Sequence, residues 1–152
     1  MALKDLISFD LLDLLWTSQL SEEKRGRLVY DYMLAYAGFV SEKVADRLTD
    51  EDEVVMSELL TSPDVNPEKI EQFYRDRIPN FDSLLLAATL LFKKDFVLDY
   101  YKTMMQETVK RKDPSAATWI NIVAKAEEDR WDMVATLIKQ IDQTYSQNQV
   151  TA

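Results

Sequence analysis

Three pairs of carboxylates lie four residues apart in this chain: Glu42/Asp46, Asp95/Asp99 and Glu128/Asp132. On one face of a helix that spacing can set two acids to work as general acid and base, or to share a hard cation such as Mg²⁺ through oxygen ligands. Each pair sits among polar neighbours, and a solvated helix face accounts for it more simply. The sequence has no histidine and no cysteine. Those two residue types build most metal sites, nucleophile–base pairs and proton relays. Di-iron carboxylate bundles need Glu-x-x-His from two helices, which this chain cannot supply. The expectation is a non-enzymatic protein with no catalytic residue, no metal and no cofactor. A carboxylate-based, Mg-dependent enzyme is the alternative.

Cations cluster at Arg75/Arg77, Lys93/Lys94 and Lys110-Arg111-Lys112, with Tyr74, Phe92 and Phe96 among them. Bases stacked on such aromatics beside such charges would describe a nucleic-acid surface. The net charge of −9 and a pI near 4.5 oppose attraction to phosphate backbones and to anionic lipid, so nucleic acid is disfavoured as a partner. Lys110 to Lys112 are placed to complement the dipole of a helix C-terminus. Two glycines, Gly26 and Gly38, cannot make a phosphate-binding loop. The acid-rich stretch from Glu42 to Glu58 could imitate a phosphate ribbon, and an acidic mimic or antagonist of a nucleic-acid-binding protein is a second alternative function. Helix-start acids explain most of that stretch.

The elements that carry these residues read as helices throughout. So few glycines, and four prolines at Pro63, Pro67, Pro79 and Pro114, leave too few turns for a sheet protein. A short helix is expected over Leu6 to Trp16. Ser21 caps a long one with Leu28, Tyr32, Tyr36, Phe39, Val40 and Val44 as its stripe. Thr49 caps a segment whose apolar side is Val55, Met56, Leu59 and Leu60. Asn66-Pro67 opens another, which ends at Ile78 because a residue before proline is pushed out of helical geometry.

From Leu84 to Phe92 every residue but Thr89 is apolar, which marks the central buried element of the fold. It is far short of the roughly 20 residues that span a bilayer. Continued to Lys112 it forms one helix, since Lys93-Lys94-Asp95 contains no breaker. The alternative is two stacked tetratricopeptide-like hairpins, with turns at Lys93–Asp95 and Glu127–Asp129, suggested by self-similarity at an offset of 34 residues. The architecture predicted is an all-α helical bundle over 1–112, a C-terminal helical hairpin over 113–146 packed on it, and a disordered tail over 147–152.

The junction Ile78-Pro79-Asn80-Phe81-Asp82 reads as structure: proline stops one helix, asparagine caps the next, Phe81 packs back and Asp82 meets a positive helix end. With the preceding Ile70-Glu71-Gln72-Phe73 and Arg77, this I-P-N-F-D-x-L junction resembles a small all-helical bacterial domain family. In that family a leucine-rich start leads to a long helix, an acidic capped helix and such a junction, matching about Leu11 to Val109 here. The resemblance implies an all-α fold and offers no activity, none being established for the family.

A soluble, cytoplasmic interaction module or adaptor is the functional expectation, for no signal peptide is recognisable. Its partner is another protein or a second copy. The expected partner surface is on the C-terminal hairpin, around Trp119, Ile120 and Trp131. Two sides of the helix from Ala116 to Ala126 are apolar, and its hairpin mate can cover only one of them.

Overall fold

Free N–H groups at the start of a helix need acceptors, and this sequence provides them from side chains. In the computed structural model, which describes residues 2–151 and only the backbone of 67 and 146–151, these caps start most of seven α-helices. The helices are α1 (Leu11–Leu14), α2 (Glu22–Val44), α3 (Asp50–Thr61), α4 (Pro67–Arg77), α5 (Phe81–Lys110), α6 (Ala116–Glu127) and α7 (Trp131–Thr151). Short 3₁₀ segments cover Leu3–Ser8 and Ala45–Arg47, and no strand occurs among the described residues. The fold is all-α. The tail expected over 147–152 lies outside the described side chains.

Ser21 Oγ accepts from Lys24 N at 3.2 Å, and Asn66 Oδ1 accepts from Lys69 N at 2.9 Å with Pro67 in the first helical position. Thr49 and Asp52 close a reciprocal box, Asp52 N to Thr49 Oγ1 at 3.1 Å and Thr49 N to Asp52 Oδ2 at 3.0 Å. Two expectations need correction. The helix over Leu6 to Trp16 is two pieces, because the Asp10 carboxylate takes Leu12 N at 2.9 Å and begins a new turn instead of continuing the old one. Asn80 is not an extended cap residue: its backbone is left-handed, φ 58°, and its carbonyl accepts Leu84 N at 3.1 Å. Asparagine is one of the few residues that tolerate that geometry.

Helix α5 runs without a turn through Lys93–Asp95 for 30 residues, about 45 Å. The stacked-hairpin alternative required a break there and is overturned. Helix α5 is not covered on every side, however: Leu86 and Leu91 are 50% and 46% exposed.

The chain divides into two compact units, Met1–Tyr32 with Leu90–Ala152, and Met33–Thr89. They are called here the terminal and middle units. The terminal unit contains the expected C-terminal hairpin, whose α6 and α7 share one core with the N-terminal leucines and α5. The compact units therefore divide the chain elsewhere than at the expected boundary of 112 and 113. Leu6, Leu14, Leu15, Val97, Tyr101, Trp119, Ile122 and Trp131 are wholly enclosed. The irregular N-terminal backbone is satisfied from α5: Tyr101 OH donates to Leu14 O at 2.5 Å, Tyr100 OH to Trp16 O at 3.2 Å, and Lys93 Nζ to the carbonyls of Leu6 and Phe9. On the other side the Asp142 carboxylate of α7 accepts from Trp16 Nε1 and Ser18 Oγ.

The ends of α5 and α6 use one device. Asp113 N reaches Thr108 O at 2.9 Å and Lys112 N reaches Val109 O at 3.1 Å; Arg130 N reaches Lys125 O at 2.9 Å and Asp129 N reaches Ala126 O at 3.1 Å. Each is a Schellman closure whose left-handed position, usually glycine, is held by Lys112 (φ 56°) or Asp129 (φ 58°).

The middle unit has a smaller core of Val40, Val44, Phe73, Tyr74, Ile78 and Phe81. Phe81 stacks on Tyr74 with ring centroids 5.4 Å apart, and Asp82 takes Arg75 Nε at 2.8 Å. The Arg77 guanidinium lies 3.8 Å over Phe73 and donates to Asp52 Oδ1 at 3.0 Å, tying α3 to α4. Tyr36 OH and Thr89 Oγ1 are 2.7 Å apart, and since Thr89 donates to Leu85 O, Tyr36 is the donor between them.

Candidate functional site

The carboxylate pairs come out on the surface, and two of the three do not share a helix. Glu42 ends α2 while Asp46 belongs to the 3₁₀ turn; Glu128 and Asp132 stand on either side of the α6–α7 turn. Asp95 and Asp99 do share α5, both exposed. The three carboxyls whose acidity departs clearly from the ordinary range move downward. Thr49 backbone and hydroxyl bonds and Arg77 hold Asp52 down, Lys69 and Ser62 hold Asp64 at about 2, and Ser115 holds Asp113 down. A carboxyl stabilised in its charged form is the opposite of a proton donor poised near neutrality.

The cationic clusters are largely engaged by the protein itself. Lys93 caps the N-terminal carbonyls, and burial lowers its pKa. Lys94 Nζ lies 3.0 Å from Asp129 Oδ1, close enough to pair in charge although not angled as a hydrogen bond. Arg75 bridges Glu71 and Asp82 at 3.2 and 2.8 Å. Lys110 to Lys112 are exposed at the C-terminal end of α5, where the helix dipole favours them.

The C-terminal hairpin corrects the expected partner surface. Trp119 and Trp131 are 0% exposed, and of the three residues only Ile120 reaches solvent. The reason is that α7 and α5 share one core with the Trp119 side of α6, the Tyr100 and Tyr101 rings of α5 lying 6.1 and 6.3 Å from the Trp119 ring, while Ile120 and Ala124 on its other side stay exposed. Neither indole N–H finds a protein acceptor among the described residues. Near Trp119, a cleft of about 480 Å³ opens among Trp16, Arg111, Ile141 and Tyr145. Its one carboxylate, Asp113, is already occupied by Ser115 N and Oγ at 2.9 and 2.7 Å.

The surface that stands out is on α3, in the middle unit. No residue of this helix is fully buried. Asp52, Met56 and Leu59 face inward and are half-buried, whereas Val54, Val55 and Leu60 are 59%, 40% and 55% exposed. Val55 and Leu60, expected on the apolar side, instead flank the narrow inward arc of Met56 and Leu59 at 100° per residue. Val54 has Asp50 and Glu58 four residues to either side and Glu51 three before it; Val55 has Glu51 and Glu58 as neighbours. The signal that could have found this face is the placement of valines between acids rather than between leucines.

No family model matches the chain, and no curated protein or solved structure does. The middle unit also exposes Met33 and Leu34 on α2, each 56%, and Leu86 on α5. The six large apolar side chains exposed between Met33 and Thr89 equal the number exposed among the described residues of the much longer terminal unit. No helix among the described residues is long and apolar enough to cross a membrane.

Proposed function

We propose that this chain is a non-enzymatic protein–protein interaction module, and that its middle unit presents the partner surface. One observation carries the reading: a unit with a core of six buried residues leaves as many large apolar side chains in water. Apolar surface at that density is seldom left uncovered in a working protein. The downward-shifted, scattered carboxyls favour this reading over acid–base catalysis. Exposed Asp46, Asp50, Glu51, Glu53 and Glu58 keep the acidic-mimic reading in view, but Val54 and Val55 interrupt them where a phosphate ribbon would be continuous. We place the module in the cytoplasm, where a net charge of −9 resists non-specific adhesion.

The test is site-specific photo-crosslinking in native cells, with the reactive side chain at Leu34, at Leu86, or at Lys139 in the terminal unit. Discrete adducts from Leu34 and Leu86 and none from Lys139 are expected. Adducts from none of them, or equally from all, would overturn the proposal. A monomeric mass by light scattering would assign the adduct to a different protein, and a dimeric mass to a second copy.

A further inference from the structure

We infer that the outward face of α3 receives a basic amphipathic helix of the partner. This rests on the interaction-module reading and specifies its partner. Between Met33 and Thr89 the chain has twelve carboxylates and five cations, so this unit carries −7 of the whole chain's −9. Three of the five cations are already bound to acids: Lys69 to Asp64 at 2.7 Å, Arg75 to Asp82 and Glu71, and Arg77 to Asp52. The excess negative charge is therefore uncompensated within the unit, and much of it surrounds exposed valines. Asp50, Glu51 and Glu58 are exposed around Val54 and Val55.

That arrangement has a specific complement. An apolar strip laid on the two valines loses water, and long Lys or Arg side chains leaving the strip on either side reach the carboxylates that border it. A helix suits the site because packed helices approach to about 8–10 Å, within reach of such side chains. The weak anchoring of α3, which has no fully buried residue, agrees with a helix that gains its second packing face on binding. An uncharged apolar partner would bury the acids without compensation, and an acidic one would be repelled.

The test uses a labelled 18-residue leucine–lysine peptide with its leucines on one helical face, and the same composition scrambled, titrated with the full chain by anisotropy. The amphipathic peptide should bind about tenfold tighter than the scrambled one. Val54→Gln with Val55→Gln should weaken it about tenfold, and Glu51→Gln with Glu58→Gln about fivefold. Asp95→Asn with Asp99→Asn, an exposed acid pair of α5, should leave it unchanged. All these substitutions are at exposed positions, and circular dichroism checks that each variant is folded. Equal loss in the α5 variant, or no loss in the valine variant, would show diffuse attraction to an acidic protein and overturn the inference. Adducts at Leu34 and Leu86 without peptide binding would keep the module and reject this partner class.

Discussion

Lys112 and Asp129 hold left-handed backbones at positions where glycine costs least. Lys112 is the cleaner probe, since Asp129 also pairs with Lys94. Lys112→Gly should raise stability by about 1 kcal/mol, read as a higher denaturant midpoint at unchanged slope. Asn80 gives the converse: Asn80→Ala should cost about 1 kcal/mol while Asn80→Gly costs little, and identical behaviour of the two would mean that the backbone angle is not what matters there. The buried tryptophans set a larger scale. Trp119→Ala or Trp131→Ala should remove about 3–5 kcal/mol by opening a cavity in a closed core. The mass in solution should stay the same in whatever fraction remains folded; a change of oligomeric state with stability intact would return these residues to an interface.

Element by element, the sequence was legible wherever a local rule decides the outcome. Ser21, Thr49 and Asn66 start helices because a side-chain oxygen three residues before a backbone N–H can bond it, and that needs no knowledge of the rest of the fold. Asp10 follows the same chemistry but breaks a segment whose leucines alone suggest continuity. What could not be read was which apolar residues find a partner. Val55 and Leu59 look alike in the sequence; only the packed helices show that Leu59 is half-buried and Val55 is not. The same applied to Trp119, whose ring is enclosed by Tyr100 and Tyr101 of the preceding helix, a packing that the local apolar pattern does not specify. Helix α2 supplies another test at this scale. A Cβ added at Gly38 would meet nothing within 4 Å, so Gly38→Ala should stabilise by about 0.5–1 kcal/mol, and a loss would reveal an unseen close contact. Helix α3 and the turn after it depend on carboxylates held down in acidity, Asp52 by Thr49 and Arg77 and Asp64 by Lys69 and Ser62. Their contribution is complete above the ordinary carboxylate value near 4 and is lost as pH falls from about 4 to about 2, so the urea midpoint should drop across that interval. A midpoint that stays flat there would show these bonds to be unimportant.

For the molecule as a whole, the alkaline limit belongs to the terminal unit. Burial pushes the Tyr100 phenol up to about 12 and the Tyr101 phenol higher still. A phenol freed by unfolding ionises near 10, so the stability these groups give is present below about pH 10 and is lost as pH rises through about 12. Tyr100 and Tyr101 should therefore stay silent in ultraviolet absorbance until the terminal unit opens, then ionise together with the loss of helicity. Gradual titration of these two in the folded protein would contradict the burial.

Trp16, Trp119 and Trp131 are the only indoles of the chain, and all three belong to the terminal unit. Its emission spectrum is thus a private signal of that unit, and the stretch from Met33 to Thr89 unfolds in the dark. A fluorescence melt taken alone would assign the whole protein the stability of its better-packed part. An indole introduced on the exposed side of α2, for instance by Leu34→Trp, would make the silent part visible and let each unit be timed separately against the helical signal they share.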